Sequence, residues 1–369
     1  MKKRFVCLFC TVILCFMLVV SGCSSKTSQT SGAKSEKITV TDMLGREVTF
    51  DKTPQKVVAI SAGALRLYCY INGSNNVVGV EQVEKKGSIG RTYAMAYPEL
   101  SKLPVIGIGG SKNVADPEKI LSVNPDVIFC TYVTDKAAAD DLQAKTKIPV
   151  VCLSYGKQSA FDPNVNSSLK IIGKVMGKEK RADEVVNYIK KCEDELNSKT
   201  KDVPDSEKPS VYIGALSAAG SHGIESTQEN YPLLKVINAK NVVTGTNNIN
   251  VVMIDKEKLL KWNPDKLFID EGGLAMVQQD YKKNPKYYET LSAVKNGEIY
   301  SEMPYNWYTT NIDTAITDAY YMAKVLYPDK FKDVDPAKKA DEIYKFFLGK
   351  PLYDDMAKAY GGFKKLTIK

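Results

Sequence analysis

The sequence PEKILSVNPDVIF at residues 117–129 returns as KEKLLKWNPDKLF at residues 256–268, with identical or similar aliphatic residues at nine of the thirteen positions. In each copy an amphipathic run leads into Asn-Pro-Asp, where the proline ends a helix before an apolar, strand-like run begins. The two copies lie 139 residues apart, which is too far for the repeats of a solenoid. The repeat therefore predicts two α/β lobes of similar construction.

Further strand-like runs surround each copy of the repeat. A hairpin is predicted first, over residues 38–50, because apolar and polar residues alternate on both sides of Met43-Leu44-Gly45. Helical patterns or loops separate the later runs, so each lobe is expected to hold a mainly parallel sheet that is buried on both faces. These runs are residues 57–60, 77–80, 105–107, 127–129 and 150–153 in the first lobe, and 211–214, 266–269 and 298–300 in the second.

Residues 164–201 join the lobes and contain only two glycines. Apolar residues recur there at helical spacing, which predicts one rigid helix of about 35 residues, about 50 Å long at 1.5 Å per residue. We expect such a helix to resist large hinge motion. The predicted organisation is an N-terminal α/β lobe over residues 38–163, the linking helix over 164–201, and a C-terminal α/β lobe with closing helices over 202–369.

The first residues have the pattern of an export signal. Three basic residues precede an apolar run from Phe5 to Val20, which is too short for a comfortable membrane span. Small residues then lead to Cys23, and this pattern resembles the lipobox of bacterial lipoproteins. The resemblance implies a signal peptide over residues 1–22, lipid attachment at Cys23 and a flexible, polar tether over residues 23–37. A plain secretory signal is the alternative.

Composition excludes several classes of protein. The chain has 369 residues, a formal net charge of +8, eight cysteines and one histidine. Removing the signal peptide lowers the charge to +5, which is modest and dispersed, so nucleic-acid binding is not expected. An enzyme is not expected either, because neither a Walker A motif nor a dinucleotide fingerprint is present. A single disulfide remains an open possibility among the four cysteines that stay beside Cys23, namely Cys69, Cys130, Cys152 and Cys192.

Several motifs occur together in a characteristic order: TDMLGREV at residues 41–48, PQKVVAI at 54–60, IPVV at 148–151, the two Asn-Pro-Asp strands and the long linking helix. In this respect the chain resembles the substrate-binding lipoproteins of ABC importers for iron(III)-siderophores, haem and cobalamin. The resemblance implies two Rossmann-like lobes joined by a rigid helix, with a ligand in the cleft between them. It also implies a monomer without a cofactor of its own, anchored outside the cytoplasm by lipid, that delivers its ligand to an ABC permease.

Candidate ligand contacts lie in the loops that follow the predicted strands, where loop amides and helix N-termini converge. Arg66 and Lys157 are candidates for anionic groups of the ligand, and Tyr305 and Trp307 are the foremost candidates for stacking on a chelate or macrocycle. Solvated surface charge and core packing are the respective alternatives. The full set of candidate ligand contacts is Arg66, Tyr155, Lys157, Ser221, His222, Tyr305, Trp307 and Tyr308.

The single histidine, His222, lies in a loop between glycines. A lone histidine cannot supply the His-rich tetrahedral site of a bare zinc or manganese carrier, which needs three or four ligands. His222 is therefore a candidate metal ligand for haem iron or for a vacant position on a chelate, or a hydrogen-bond donor to an oxyanion. Ordinary loop polarity is the alternative.

The resemblance also implies one surface acidic residue per lobe that pairs with arginines of the permease, and Glu99 and Glu229 are the candidates. We expect the ligand to be a chelated metal, either an iron(III)-siderophore or haem. A metal oxyanion such as molybdate or tungstate, or cobalamin, is the alternative within the same importer class. A structural or adhesion lipoprotein is the alternative from a different class.

Overall fold

The computed structural model describes residues 37–368, except for positions 88, 111–113, 132, 134, 158, 218–219 and 247–249. The predicted signal peptide, Cys23 and the tether as far as residue 36 lie outside the described residues. The strands are β1 Ile38–Thr41, β2 Glu47–Phe50, β3 Val57–Ile60, β4 Val77–Gly79, β5 Val127–Cys130, β6 Val150–Cys152, β7 Ser210–Gly214, β8 Ser226–Thr227, β9 Lys240–Asn241, β10 Val252–Met253, β11 Lys266–Asp270 and β12 Ile299–Glu302.

Helices connect and cover these strands. They are α1 Ala64–Asn72, α2 Thr92–Ala96, α3 Pro117–Ser122, α4 Lys136–Thr146, α5 Pro163–Met176, α6 Glu179–Thr200, α7 Pro232–Val236, α8 Lys256–Trp262, α9 Leu274–Lys283, α10 Pro285–Thr290, α11 Ser292–Lys295, α12 Ile312–Leu326, α13 Pro336–Leu348 and α14 Tyr353–Tyr360. No helix in the described part of the chain combines the length and the apolar run that a membrane span needs.

The two lobes have the same strand order. The first sheet is β4-β3-β5-β6 and the second is β12-β11-β7-β9, and all neighbouring strands in both are parallel. When the strands of each lobe are numbered along the chain, both sheets read 2-1-3-4. This confirms the predicted α/β fold with two similar lobes. The predicted hairpin is present as β1 and β2, but the run at residues 105–107 forms only isolated bridges, from Val105 to Val80 and from Gly107 to Ala115.

The Asn-Pro-Asp repeat has the same structural role in each lobe. Asn124 and Asn263 adopt positive φ angles of 46° and 41° where the helix turns into the strand. The aspartate then accepts hydrogen bonds from the start of the neighbouring strand. Asp126 Oδ2 accepts from the backbone N–H groups of residues 55 and 56 at 2.8 and 2.9 Å, and Asp265 Oδ2 accepts from Ser210 N at 2.8 Å. The repeat therefore aligns the two central strands of each sheet.

The linking segment corrects one prediction, because residues 164–201 do not form a single helix. Gly177 adopts a left-handed conformation (φ 61°), which ends α5. The 22-residue α6 is about 33 Å long rather than about 50 Å. The two helices pack together at Gly173, where an added Cβ would lie 2.5 Å from the Cβ of Ala182. The lobes are joined by a packed pair of helices, not by one straight rod.

The main hydrophobic core is continuous between the lobes. It includes the inner faces of both sheets, α1, α5, α6, α12 and α13, while the outer face of each sheet has a smaller core of its own. Asp313 at the start of α12 accepts hydrogen bonds from Tyr70 at 2.9 Å and from Thr92 at 2.6 Å. The closing helices, which follow the second lobe along the chain, are therefore bonded to the first lobe.

Candidate functional site

The shared strand order places a topological switch point in each lobe, between β3 and β5 and between β7 and β11. In open parallel sheets, ligands bind in the crevice beyond the carboxyl ends of the strands at this point. The residue that follows the central strand is in a left-handed conformation in both lobes, with φ of 69° at Ser61 and 63° at Ala215. Such conformations are costly for residues other than glycine and cluster at functional sites.

Glu81 lies at the switch point of the first lobe and connects it to the second. It is only 3% exposed. Its Oε2 accepts a hydrogen bond from Ser61 N at 3.0 Å and another from the Tyr308 hydroxyl at 2.8 Å. The Tyr308 oxygen also accepts from Gly110 N at 3.0 Å. Burial raises the pKa of Glu81, and the hydrogen bonds from Ser61 and Tyr308 partly oppose that rise.

Asp270 has the corresponding position in the second lobe, at the carboxyl end of β11. Its two oxygens accept from Ser217 N and Gly272 N, both at 2.8 Å. Burial raises the pKa of Asp270 to about 6, although these backbone hydrogen bonds favour the ionised form. Each switch point thus has an internal carboxylate bound to the backbone N–H groups at the strand ends.

Three more carboxyl groups are buried near Asp270, and all have oxygens without a hydrogen-bond partner: Glu271, Glu302 and Asp318. Burial raises the pKa of Glu271 to about 8. It raises the pKa values of Glu302 and Asp318 well above the usual range, and the charges of neighbouring carboxylates raise them further. Glu302 Oε1 accepts from the Tyr231 hydroxyl. We name these three residues together with Asp270 the acidic cluster.

Arg66, a predicted contact for anionic groups of the ligand, lies in the interior and is 0% exposed. All five of its N–H groups donate to protein oxygens, and its guanidinium lies 5.1 Å from the centre of the Tyr93 ring. Its acceptors are Asn311 Oδ1, the Tyr155 hydroxyl and the carbonyl oxygens of Thr310, Trp307 and Tyr308, at 2.8 to 3.3 Å. Arg66 therefore binds α1 of the first lobe to the loop that precedes α12.

The predicted aromatic contacts divide into buried and exposed groups. Tyr155 and Tyr305 are buried in the main core, and the Tyr155 hydroxyl donates to Gly63 O at 3.0 Å. Tyr308 is half-buried and bridges the lobes through Glu81. Trp307 is 49% exposed, so it offers the largest free aromatic surface of the four. Trp307 and Tyr308 remain candidates by position, whereas Tyr155 and Tyr305 pack in the interior.

The remaining predicted contacts lie in loops after the strands. Lys157 and Ser221 are exposed, and His222 is half-buried in its loop. The His222 carbonyl lies so close to Gly273 that a Cβ there would collide with it. In the described ranges no group of three or more His, Cys, Asp or Glu side chains is arranged to hold a metal ion. The four cysteines present there are buried and unbridged, with Cys130 Sγ 3.4 Å from Cys152 Sγ.

The two candidate permease contacts differ in availability. Glu99 is exposed and accepts a hydrogen bond from Ser74. Glu229 is half-buried, and its carboxylate accepts from Gly245 N at 3.1 Å, from Thr246 N at 2.9 Å and from Thr246 Oγ1 at 2.7 Å. Glu229 thus holds the loop at residues 245–246 and does not present a free carboxylate.

Sequence reasoning missed the buried charges beside the first switch point. Arg91 donates to Glu84 Oε2 at 2.6 Å, and both side chains are buried. Glu81 directly follows β4 and its bridge at Val80, and Asp270 ends β11. The rule that selects loops after strands also selects the segment at Asp270, and it would have identified Glu81 had it been applied to the residues that follow β4.

A sequence model of a family described as periplasmic binding protein matches residues 77–304, a range that includes both copies of the repeat. Three known proteins are similar to the chain over most of their lengths. YvrC of Bacillus subtilis, an uncharacterized ABC transporter substrate-binding lipoprotein, is 24% identical over 87% of this chain and 97% of its own. The molybdate-binding protein MolA of Haemophilus influenzae is 24% identical over 84% and 90%, and the Fe(3+)-citrate-binding protein YfmC of B. subtilis is 25% identical over 80% and 89%.

Solved structures agree with the fold. A periplasmic solute binding protein from Veillonella parvula superimposes with a TM-score of 0.72 over 88% of this chain and 97% of its own, at 19% identity. At this level of identity the likeness concerns the fold alone.

Proposed function

We propose, from the premise that the chain belongs to the periplasmic binding protein family, that it captures a chelated metal in the cleft between its lobes and passes it to a permease. The chain is the substrate-binding protein of an ABC importer and not an enzyme. The proposed ligand is an iron(III)-siderophore or haem, and the Fe(3+)-citrate-binding relative is consistent with that class. Because one relative binds molybdate, a metal oxyanion is the second candidate ligand, and cobalamin is the third.

The observation that carries the proposal is the pair of like switch points, the first of which is bonded to Tyr308 of the second lobe. Strained residues, Ser61 and Ala215, mark the ends of the two central strands. Between these ends, Tyr308 reaches from the second lobe to Glu81 of the first. The half-exposed Trp307 is adjacent to this bridge. A ligand that binds here would contact both lobes at once, as a carrier with a central cleft requires.

We further propose that the chain acts outside the cytoplasm as a monomer, held at the membrane by lipid on Cys23. The support is the apolar segment at residues 5–20 followed by small residues and Cys23. Acyl chains on Cys23 would fix the protein near its permease without a membrane-spanning helix.

Replacing Trp307 with alanine is expected to weaken ligand binding about tenfold, because a stacked aromatic contributes about 0.5–1.5 kcal/mol beyond its buried area. The free energy of unfolding should change by less than about 0.5 kcal/mol, because the side chain is half exposed. Both are measured by titration with iron(III) complexes, haem, cobalamin, molybdate and tungstate, followed by fluorescence and thermal unfolding. A ligand at 100 times its Kd should add about 2.7 kcal/mol of stability.

Trp262, the other tryptophan, provides the control, since Trp262→Phe should leave affinity unchanged and assign the fluorescence change to Trp307. Tight binding of molybdate without a response to any iron complex would favour the oxyanion carrier. No response to any of the ligands would favour the structural or adhesion lipoprotein.

The repeat offers a second candidate pair of acidic residues for a two-lobed permease contact, beside Glu99 and Glu229. Glu118 and Glu257 occupy equivalent positions in the first turns of α3 and α8, and both are exposed. An exposed apolar residue lies four positions earlier in each lobe, Val114 and Met253. Glu118 and Val114 also line an open surface cavity of about 570 Å³. We propose that these matched patches contact the permease.

The double variant Glu118→Gln, Glu257→Gln is expected to slow ligand uptake through the permease about tenfold in proteoliposomes, while the ligand Kd stays unchanged. Two exposed charge pairs at about 1 kcal/mol or less each account for a change of this size. The double variant Glu99→Gln, Glu229→Gln is the matched comparison. A loss of transport confined to that second variant would return the contact to Glu99 and Glu229.

A further inference from the structure

The backbone donors that would hold an anion at the two switch points are already bound to carboxylates of the protein. Ser61 N donates to Glu81 at 3.0 Å in the first lobe. Ser217 N and Gly272 N donate to Asp270 at 2.8 Å in the second. An oxyanion placed at either point would compete with a buried carboxylate for the same N–H groups and would meet its negative charge.

The buried arginines beside the cleft do not offset these carboxylates. Every N–H group of Arg66 is bound to a protein oxygen. Arg91 forms an ion pair with Glu84 at 2.6 Å and also donates to the carbonyl oxygens of residues 86 and 87, so that of its nitrogens Nε alone lacks a partner among the described residues. Carriers of free oxyanions need donors or cations aimed at the ligand, and here the corresponding positions hold acceptors.

Glu271 supplies an independent observation that points to a ligand. It is 8% exposed, and neither of its carboxyl oxygens has a hydrogen-bond partner. It lies where the lobes meet, because the Tyr360 hydroxyl touches Gly90 of the first lobe and the charges of Asp270 and Glu271 both act on Tyr360. The charge of Lys364 and the backbone of Gly362 favour the ionised form of Glu271 but offset only part of the several kcal/mol of hydration that burial removes, and a donor on a ligand would offset more.

We propose that Glu81, Asp270 and Glu271 determine specificity, and that they select a neutral or cationic metal chelate bearing ammonium, amide or hydroxyl donors while excluding free oxyanions. The inference rests on the proposed function and narrows its ligand class. An iron(III) trihydroxamate has these properties, since its chelating oxygens are consumed by the metal and its periphery carries N–H groups. Glu81 and Asp270 then attract the complex by their charge, and the three carboxyl groups accept hydrogen bonds from its donors.

Calorimetric titration of the complete protein with a charge series tests the proposal. The probes are ferrioxamine B, which is cationic, ferrichrome, which is neutral, and the anions ferric citrate, haemin and molybdate. We expect the cationic or neutral complex to bind at least tenfold more tightly than any of the anions. Tighter binding of an anion would overturn the inference while leaving the carrier function intact, whereas no binding of any probe would count against both.

The variant Glu81→Gln removes the negative charge but keeps the hydrogen bonds, because a glutamine oxygen can still accept from Ser61 N and from the Tyr308 hydroxyl. We expect about tenfold weaker binding of the cationic complex, the effect of one charge about 10 Å away at an effective dielectric of about 20. Glu47→Gln, which removes an exposed charge in the same lobe, should leave the Kd unchanged. Equal affinities for the two variants would overturn the inference.

The proton balance of binding is a second readout. A cation near Glu271 favours its ionised form, so binding should release a proton and tighten as the pH rises from 6 to 8, with the reverse for an anion. Proton uptake with the cationic complex would contradict the proposal. The titratable groups acting on or near Glu271 are Asp270 on its own loop, Lys364 on the C-terminal segment, Tyr353 and Tyr360 on α14, and Asp318 and Tyr321 on α12.

Discussion

Replacing Arg66 with leucine is expected to lower the free energy of unfolding by about 3–5 kcal/mol, the range for breaking a buried charged network. Arg66 is fully buried and donates five hydrogen bonds across the junction between the lobes. Leucine would leave the carbonyl oxygens of Trp307, Tyr308 and Thr310 without these donors, and each buried acceptor left unpaired costs about 1–3 kcal/mol. Urea unfolding followed by circular dichroism measures the loss.

Arg181→Leu is the matched control. Arg181 also donates to backbone carbonyls, those of Tyr70 and Phe346, but its side chain is 27% exposed, so water can replace it and we expect a loss of about 1 kcal/mol. If Arg66→Leu cost no more than Arg181→Leu, the contacts of Arg66 would not hold the lobes together.

The free energy of unfolding is expected to fall as the pH rises from 5 to 8. In the double variant Glu302→Gln, Asp318→Asn this fall should be smaller than in the unmodified protein, by at least about 2 kcal/mol. Burial and neighbouring carboxylates raise the pKa values of both groups far above the value of about 4 that they have when unfolded. The folded protein therefore keeps protons that the unfolded chain releases, and each such proton costs about 1.4 kcal/mol per pH unit.

The sign follows from the raised pKa values of these acids. Their contribution to stability is fully present below about pH 4 and is lost as the pH rises towards the folded pKa. Asp270 and Glu271, with pKa values of about 6 and about 8, contribute in the same direction and remain in the variant. Chemical unfolding at pH 5, 6, 7 and 8 gives the slope. The exposed pair Glu47→Gln, Asp329→Asn should not alter it, and a double-variant slope equal to that of the unmodified protein would contradict protonated side chains at Glu302 and Asp318.

The sequence was sufficient to predict the two lobes and most of their strands. The Asn-Pro-Asp repeat combines a helix stop, a left-handed asparagine and a strand-aligning aspartate within three residues, so its signal is local. The linking helix was predicted less well. Gly177 ends α5 because its φ is 61°, and glycine inside an otherwise helical pattern does not by itself distinguish a helix end from a tolerated interruption.

The candidate site was harder to predict because its chemistry depends on tertiary contacts. An arginine after a strand is usually exposed, yet Arg66 is enclosed by a loop about 240 residues later in the chain. The acidic cluster brings Glu302 and Asp318 together with Asp270 from three elements. Local patterns do not show such burial, because charged residues interrupt the hydrophobic periodicity on which sequence reasoning depends.

Because Arg66 is bonded to the 305–311 loop, this loop is expected to move with the first lobe although it belongs to the second lobe in sequence. The loop follows β12 in the second lobe, but Arg66 on α1 of the first lobe donates hydrogen bonds to its carbonyl oxygens. Any rotation of the lobes would therefore carry Trp307 with the first lobe and shear the loop against β12, to which it is covalently joined. The second lobe therefore supplies the covalent attachment of Trp307, whereas the first lobe sets its position.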